Sequence, residues 1–516
     1  MDVDACERAR EAPPAEAETL AWTLDMADFG CEAAADDAGA RAAARPAGPR
    51  QPTDYMPDER CLSGEALEAH VAEARAWFKS IGAPRLWVAP LVGYSDASFR
   101  QLARECGANI AHTQMLDSGG WVCSPSYRAL HDLESDEGPL IVQLGGSRAA
   151  QLAGAAEMLA ALPSVAGVEL NLGCPQRCAR QAGFGAFLAE DVDNLRECVH
   201  AMRRAVDAGS ARRPPADATA AGGARAARCA LLCKVRCFAQ PEVTVAYARL
   251  LEALGAHLVT VHGRTRHAGG GRHTGAMLAN WGWVREAKEA LRVPVVANGN
   301  VRHWRDVEAL LAATGCEGVM SGVGALRVPH RVFAPVHRTA DGGGGDRPAA
   351  RLRARPLFAS RAHVAARYFE IALQRREAPS HVHAHLAGSL ALVSFAQPQP
   401  RRHAAGRPAA SGARIGGEAP AAGAPAGESA PAASRAQRAR IPNSISRAAW
   451  AIRRLRGFYH WESDAAREAV VAIRAALAAQ CAAEAALCAA KVVSETESES
   501  DDEGGEDDVA SSTAGG

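Results

Sequence analysis

The sequence is poor in lysine and in aromatic residues. Its 58 basic residues are almost all arginine, because lysine occurs only at Lys79, Lys234, Lys288 and Lys491, and aromatic residues make up 5% of the 516. Hydrophobic residues are nonetheless 48%, which is enough for a sizeable core. Because this chain prefers arginine, a lysine inside a buried strand calls for a specific explanation.

Long apolar runs are also missing. No stretch of 18 or more uncharged apolar residues occurs, so we expect no membrane-spanning helix. The amino terminus carries early acidic residues and no apolar segment, unlike a secretory signal or a transit peptide. We therefore expect a cytoplasmic or nuclear protein whose 14 cysteines are reduced thiols.

The net charge is zero, but it is unevenly distributed. Residues 494–516 contain nine acidic and no basic residues, so the rest of the chain has nine more basic than acidic residues. This pattern predicts a basic body and a solvated, disordered acidic tail.

Eight short apolar runs are spaced along the middle of the chain and alternate with helical patterns. Each run is largely unalternated, as expected of strands buried on both faces of a parallel sheet. The runs span residues 87–93, 109–115, 140–145, 167–173, 230–236, 258–264, 293–299 and 318–323.

The intervening helical patterns have recognisable ends. Ser95 or Asp96 is suited to cap the start of a helix that closes at Gly107, and the helix after Asn300 closes at Gly315. Eight β-then-α units of roughly 30 residues predict an α/β fold, a (β/α)8 TIM barrel. The alternative is a doubly wound open sheet, which we favour less because eight is the number of units that closes a barrel.

The segments around the barrel differ from it in composition, and they divide the chain into a barrel, a smaller C-terminal helical domain and several low-complexity stretches. In chain order we interpret them as a disordered N-terminal segment (1–60), the barrel (61–337) with an insertion (208–228), a low-complexity insertion (338–356), the first helical part (357–395), a flexible linker (396–440), the second helical part (441–493) and the acidic tail (494–516).

Unusual polar residues stand at the ends of the predicted strands, where the active site of a TIM barrel lies. Lys234 is within a strand that should be buried, so its charge must be paired, neutralised or matched by an anion. It could extend from the strand end into solvent, act as a Schiff-base nucleophile, or face the pyrimidine end of a flavin and stabilise its reduced anion.

Cys174, in NLGCPQ, follows the fourth strand. An unperturbed thiol is mostly protonated at neutral pH, so this one could act as an acid or as a nucleophile. We assign most other cysteines to packing. Their spacing lacks the paired CxxC motifs of zinc sites, so we expect no metal.

Small and amide residues follow the seventh and eighth strands, where TIM barrels often bind phosphate. Asn298, Gly299 and Asn300 follow the seventh strand, and Gly322 and Gly324 follow the eighth. Their backbone N–H groups would suit a phosphate, although ordinary left-handed turns use the same residues.

The motifs as a set resemble the tRNA-dihydrouridine synthases, flavoproteins that reduce uridine in transfer RNA. The matching segments are WVAPLVGYSDASFR, HTQM, VQLGGS, VELNLGCPQ with GFGAFL, CKVR, VTVHGRTR, VVANGNV and GVMSGVGAL, over residues 85–335. The PQ after Cys174 and the GFGAFL segment are most similar to the branch that acts on D-loop positions 16 and 17.

The resemblance implies an FMN-containing barrel that, together with the helical domain, binds transfer RNA. It assigns Cys174 as the catalytic acid and places Asn171 and Arg264 in the pocket for the base. The residues that it assigns to FMN are Pro90, Leu91, Val92, Gln143, Lys234, His262, Asn298, Gly299, Asn300, Gly322 and Val323. Many members carry a basic residue at the position of Val323, so the resemblance implies that contact with the phosphate comes here from backbone groups.

The implied reaction is a two-reagent reduction of uracil. NADPH would reduce FMN, the flavin would deliver a hydride to C6, and Cys174 would protonate C5 from the opposite face. The base must leave its stack to reach the barrel. The candidate RNA surface is a basic, aromatic-rich stretch, which could equally be a solvated helix face and which includes Arg447, Arg453, Arg454 and Arg456.

Two other functions fit parts of the sequence. A Schiff-base lyase would use Lys234 and would hold no flavin. A non-catalytic barrel would bind RNA without reducing it, and the insertions would favour that reading if they distort the site. The oligomeric state is open.

Overall fold

The computed structural model of the protein describes residues 49–131, 133, 138–213, 228–267, 278–333, 360–389 and 464–500, with side chains described up to residue 482. Within these residues, a ring of parallel strands is surrounded by helices. The strands are β1 (Leu86–Val88), β2 (Ala111–Asp117), β3 (Leu140–Gly145), β4 (Val165–Leu172), β5 (Ala230–Cys237), β6 (Leu258–Thr265), β7 (Val295–Asn298) and β8 (Gly318–Ser321).

The ring is closed. The strands are hydrogen-bonded in the order β1-β8-β7-β6-β5-β4-β3-β2, all in parallel pairs. A parallel bridge between Trp87 and Ile110, with the Val88 N–H donating to the Ile110 carbonyl at 2.9 Å, joins β1 to the start of β2. The predicted (β/α)8 barrel is confirmed, and the doubly wound open sheet is wrong.

Helices follow the strands around the outside of the barrel. They are α1 (Gly64–Ser80), α2 (Ala97–Glu105), α3 (Ser118–Cys123), α4 (Pro125–Ala129), α5 (Ala149–Ala160), α6 (Arg177–Ala182), α7 (Val192–Ala211), α8 (Pro241–Ala253), α9 (Trp281–Ala290), α10 (Trp304–Thr314), α11 (Val323–Arg327), α12 (Pro329–Val332), α13 (Arg361–Gln374), α14 (Pro379–His383) and α15 (Asp464–Ser500). Two 3-10 turns, Pro52–Tyr55 and Gly185–Glu190, and a π-helical turn, Ala384–Ser389, complete the described elements.

The predicted helix ends are present. The Asp96 carboxylate accepts the Phe99 N–H at 2.8 Å and caps α2, and Gly315 ends α10 in the left-handed conformation with φ 66°. No described helix combines the length and apolar character required to span a bilayer. The cysteines whose side chains are described are all free thiols.

Alternation along each strand sorts the barrel interior into layers. Side chains two residues apart face the same side of a strand. At the amino end these interior positions hold apolar side chains, among them Leu232, Leu258 and Val296. Two residues further along the same strands, the positions hold Lys234, Thr260 and Asn298. The barrel therefore has an apolar floor and a polar mouth.

The C-terminal helices pack on α2. The Arg367 guanidinium forms a paired contact with the Glu105 carboxylate at 2.8 and 2.7 Å, and the Ser98 hydroxyl donates to Glu377 at 3.1 Å. His385 lies 2.6 Å from the buried Asp96 carboxylate, which also caps α2. One carboxylate thus stabilises the start of α2 and its contact with the helical part.

The N-terminal segment was predicted to be disordered up to residue 60, which is wrong for residues 49–60. Tyr55 is 2% exposed, and its hydroxyl donates to the Ala189 carbonyl at 2.8 Å. Its ring packs against Phe238 and Tyr247, with centroids 5.7 and 5.2 Å away. Tyr55 therefore holds this segment on the barrel, together with Arg196, which donates to the carbonyls of Asp54 and Met56. The first 48 residues lie outside the described ones.

Two other boundaries also differ from the prediction. Helix α7 continues to Ala211, so the proposed insertion 208–228 begins inside a helix, and α15 continues to Ser500, into the predicted acidic tail. The predicted segments 338–356 and 396–440, and the basic stretch with Arg447, Arg453, Arg454 and Arg456, lie outside the described residues.

Candidate active site at the carboxyl end of the barrel

A chain of hydrogen bonds crosses the mouth of the barrel and ends at Cys174. The Gln143 amide donates to the buried Glu169 carboxylate at 2.7 Å, and its oxygen accepts the Asn171 amide at 2.9 Å. The Asn171 oxygen in turn accepts the N–H groups of Gly173 and Cys174 at 3.0 and 2.9 Å. Side chains from β3 and β4 thereby fix the backbone that carries Cys174.

The segment GFGAFL supports Cys174 from the other side. The Ala186 N–H donates to the Cys174 carbonyl at 3.1 Å. Gly185 has a φ of 64°, and a Cβ there would lie 2.8 Å from the same carbonyl oxygen. Only glycine fits this left-handed position so close to the cysteine. The predicted motif is therefore a support for the cysteine loop.

Burial raises the pKa of the Cys174 thiol above its ordinary value, although the positive charges of Arg236 and Lys234 oppose the shift. The thiol is consequently held in its protonated form at neutral pH. A protonated, half-buried thiol at the barrel mouth suits a proton donor better than a thiolate nucleophile.

Lys234 faces the barrel interior, on the same side of β5 as Leu232. Burial lowers the pKa of its ammonium group to about 8, the carboxylate of Glu169 opposes this shift, and Arg236 adds to it. No carboxylate among the described residues forms an ion pair with Lys234. Since it lies three residues before the end of β5, the interpretation as a residue that extends into solvent is not favoured.

His262 and Arg264 form a second group across the mouth. Burial, followed by the charge of Lys234, holds the pKa of His262 well below its ordinary value, so its imidazole is neutral. Its Nε2 lies 3.2 Å from Nη1 of Arg264, whose Nη2 contacts the Asn300 side-chain oxygen. Burial lowers the pKa of Arg264, and the nearby Arg302 lowers it further.

The turn after β7 has the left-handed backbone that the sequence suggests. Gly299 and Asn300 have φ of 125° and 63°, and a Cβ at Gly299 would lie 2.5 Å from the Ala279 Cβ. The Asn298 side chain is engaged in holding the barrel, because its amide donates to the Met320 carbonyl at 2.8 Å. For a ligand, this turn therefore offers backbone groups.

The turns after β8 and β1 are more open. Gly322 precedes α11, and the side chain of Val323 is 60% exposed. After β1, the Leu91 N–H already donates to the Ser95 hydroxyl at 2.9 Å, while Pro90 is half-buried and Val92 is exposed. The predicted contact of a cofactor with this loop thus has to come from groups other than the Leu91 N–H.

Three residues near the site, Glu169, His112 and Arg236, escaped the sequence analysis, whereas Arg266 belongs to the unusual polar residues at the strand ends. Glu169 is fully buried next to Gln143, and His112 lies 3.4 Å from its second carboxylate oxygen. The Arg236 guanidinium donates to the carbonyls of Gly173 and Thr265 at 2.8 and 2.9 Å. Arg266 lies 5.1 Å from the centroid of the Phe187 ring. A glutamate within the apolar run VELNLG was the available signal for Glu169.

A different polar cluster lies at the amino end of the barrel. Ligand atoms of His70, Glu73 and His257 lie within 4.8 Å of one another, the only such group of metal-ligand side chains among the described residues. Arg203 occupies this cluster. It contacts Glu73 at 3.1 Å, His70 at 3.3 Å and His257 at 2.6 Å. The positive charge among these three side chains therefore comes from the Arg203 guanidinium.

The fold and the site define a TIM barrel with a protonated cysteine at the carboxyl end of its strands, where Lys234 and Arg236 form no ion pair with any carboxylate that the structure describes. Comparison with known proteins gives the family: the dihydrouridine synthase (Dus) family model matches residues 87–215 and 224–395, and the chain belongs to this family.

Curated relatives agree with this assignment. The chain is 34% identical over 256 residues to the rat "tRNA-dihydrouridine(16/17) synthase [NAD(P)(+)]-like" protein, a match that covers 49% of the chain and 52% of the relative. It is 30% identical over 266 residues to the Schizosaccharomyces pombe "tRNA-dihydrouridine(16/17) synthase [NAD(P)(+)]", which covers 51% and 60%. The chain thus spans about half the length of the curated relatives it matches.

Proposed function

We propose that the protein is an FMN-containing tRNA-dihydrouridine synthase that uses NADPH to reduce the C5=C6 bond of uridine, at D-loop positions 16 and 17 as the names of its relatives suggest. The observation that carries this proposal is the convergence of Cys174, Gln143 and Lys234 at one end of the barrel, with the cysteine held as a thiol. The transfer RNA is the proposed partner.

The residues present fit a flavin. The ring of FMN is flat and has carbonyl and nitrogen acceptors along its pyrimidine edge. The barrel mouth offers the ammonium group of Lys234 and the neutral imidazole of His262. The buried hydroxyl of Thr260, next to Lys234 across β5 and β6, has no hydrogen-bond partner among the described residues. The left-handed backbone at Gly299 and Asn300 would offer N–H groups to the phosphate.

Bound FMN would supply the hydride for C6 of the uracil. Lys234 would hold a positive charge beside the ring and so favour an anionic reduced form. Its pKa of about 8 leaves it mostly protonated at neutral pH. Gln143, whose amide is oriented by Glu169, would fix the position of the ring.

The cysteine loop would complete the reaction on the base. When a hydride reaches C6, negative charge develops toward the C4 carbonyl, and C5 requires a proton. Cys174 holds that proton at its Sγ, because burial keeps the thiol protonated. Asn171 keeps the cysteine in place through two backbone N–H groups, and Arg264 would line the base pocket and stabilise negative charge on a uracil carbonyl.

One absorption spectrum tests the proposal. The purified protein should be yellow, and its flavin absorption should bleach under NADPH and recover when an unmodified transfer RNA is added, with dihydrouridine as product. A colourless protein that borohydride links to a carbonyl substrate at Lys234 would instead be the Schiff-base lyase. Tight RNA binding without flavin would identify the non-catalytic barrel.

A further inference from the structure

A cavity of about 480 Å³ lies where β4, β5 and β6 end, next to the loop that carries Cys174. Its walls come from the barrel, from the 3-10 turn Gly185–Glu190 and from the N-terminal segment that Tyr55 fixes in place. Leu172 and Phe238 give it apolar surface, and Arg50, Arg236 and Arg266 give it charge.

The cavity has more positive than negative charge on its walls. Three guanidinium groups face a single carboxylate, that of Glu190. Arg266 pairs with Glu190, and Arg50 donates to the Glu190 backbone carbonyl and lies 3.7 Å from Asp54. Arg236 contacts only carbonyls, with no carboxylate partner among the described residues, and burial lowers its pKa.

The cavity touches the cysteine loop. One of the carbonyls that Arg236 contacts belongs to Gly173, the residue before Cys174. Ala186, whose N–H donates to the Cys174 carbonyl, also lines the cavity. A group in this cavity would therefore lie close to the cysteine loop, within reach of an RNA chain whose reacting base lies at the barrel mouth.

We propose that this cavity binds a nucleotide that flanks the reacting uridine, with its phosphate on Arg50, Arg236 and Arg266. Guanidinium groups recognise phosphate well, and the apolar walls leave space for the attached sugar and base. The volume lies in the range of small-molecule sites and exceeds what a lone phosphate needs.

This inference rests on the proposed function, because it assigns part of the RNA substrate to the cavity. It also goes beyond the family match. That match begins at residue 87, whereas Arg50 belongs to the segment in front of it. The N-terminal segment is thus assigned a direct part in substrate binding.

The test compares the affinity of full-length variants for an unmodified transfer RNA transcript over a range of salt concentrations. Arg50→Gln should weaken binding about tenfold, the size of one lost charge-assisted hydrogen bond. It should also reduce the slope of log affinity against log salt by about one. Arg50→Lys keeps the charge and should retain most of the slope.

Two control variants distinguish loss of the Arg50 charge from a general effect on folding or on surface charge. Tyr55→Phe removes the hydrogen bond to Ala189 but leaves Arg50 in place, and it should bind RNA like the wild type. Arg285→Gln removes a guanidinium that is 58% exposed on α9, away from the cavity, and should also bind like the wild type. An equal loss in Tyr55→Phe would show that loosening of the segment, and not the arginine, causes the effect, and would overturn the proposal.

A further measurement, the KM for NADPH, tests whether the cavity binds the reductant instead of RNA. If Arg50→Gln raises the KM for NADPH and leaves RNA affinity unchanged, the cavity holds the phosphate of the dinucleotide and the proposal is wrong. If the wild type forms dihydrouridine and Arg50→Gln binds RNA equally well, only the cavity assignment fails. If the wild type has no flavin and forms no dihydrouridine, the proposed function itself fails.

Discussion

The two ends of the barrel use the same residue types in opposite ways. At the amino end, the Arg203 guanidinium pairs with Glu73 at 3.1 Å and Asp207 at 3.0 Å, and it contacts two histidines. At the carboxyl end, Lys234 and Arg236 have no carboxylate ion pair among the described residues.

This difference in ion pairing indicates which end of the barrel binds a ligand. An unpaired, buried cation is costly, so a fold retains it where a bound anion or polar ligand completes the pairing. The amino end is electrostatically complete and contributes stability. At the carboxyl end, Lys234 and Arg236 lie on the same side of the barrel as Gln143, Cys174 and His262, an arrangement that favours this end as the place for a ligand.

The largest effect is expected from the thiol at the carboxyl end. Cys174→Ala should lower the rate of dihydrouridine formation by about a thousandfold, as for loss of a general acid, while flavin content and reduction by NADPH stay unchanged. Cys178→Ala is the matched control, because it removes a half-buried thiol four residues away on α6 and should keep the activity. Single-turnover oxidation of the reduced enzyme by transfer RNA measures both. Full activity in Cys174→Ala would remove this residue from the mechanism.

The amino end should show its effect in stability. Burial lowers the pKa of His257 to about 4, so between about pH 6.5 and 4 the unfolded chain binds more protons than the folded one. The free energy of unfolding should therefore fall by up to about 3 kcal/mol as the pH drops through this range. Glu73, whose pKa is also lowered, acts in the same direction below pH 4.5.

Urea unfolding at several pH values measures this loss. His257→Gln should lower stability at pH 7 and flatten the profile between pH 6.5 and 4. If the pH dependence of stability were the same in the variant as in the wild type, other groups would cause the acid sensitivity. The assignment of a stabilising role to the amino end would then be wrong.

Lys234 and Lys288 offer a direct comparison of an unpaired and a paired lysine. Lys288 lies 2.6 Å from Glu317, whereas Lys234 has no carboxylate at ion-pair distance in the part of the chain that the structure describes. Lys234→Met should weaken FMN binding about thirtyfold, an effect of roughly 2 kcal/mol for a lost charged hydrogen bond, and Lys288→Met should leave it unchanged. Quenching of flavin fluorescence measures both affinities.

The pH dependence sharpens this test. Because the pKa of Lys234 is about 8, its charge is lost as the pH rises through that value, and FMN affinity in the wild type should weaken between pH 7 and 9. Lys234→Met should lack that step. A step of equal size in the variant would assign the titration to another group.

The sequence predicts most of the fold and part of the site, for a physical reason. Parallel strands are continuous apolar runs, so β3, β5 and β6 were located within a residue or two, and their carboxyl ends identified Gln143, Lys234 and His262. Which side chains meet across the barrel depends on the register between strands that are distant in sequence, and local sequence patterns carry no information about that register.

Glu169 and Tyr55 illustrate that limit. Glu169 acts through Gln143, 26 residues earlier, and Tyr55 through Ala189, 134 residues later. The residues around Tyr55 in the chain are rich in proline and charge, which predicts disorder. The packing of its ring against Phe238 and Tyr247 outweighs that local tendency. Pairings of this kind are properties of the folded barrel.

The smallest effect is expected at Glu169, and it separates a positioning role from a structural one. Glu169→Gln keeps the size of the side chain and an oxygen for the Gln143 amide but removes the negative charge that favours protonated Lys234. FMN affinity at neutral pH should drop about tenfold at most, the size of one charge-assisted hydrogen bond. The midpoint of the pH step in flavin binding should also move below 8.

Glu252→Gln is the matched control for this shift. The Glu252 carboxylate is also buried, but it accepts the backbone N–H groups of Arg292 and Val293, at 2.7 and 2.9 Å, at the amino end. It should therefore lower stability without moving the midpoint. A midpoint that stays at 8 in Glu169→Gln would mean that Glu169 only packs the barrel, and the coupling between the carboxylate, Gln143 and Lys234 would have to be abandoned.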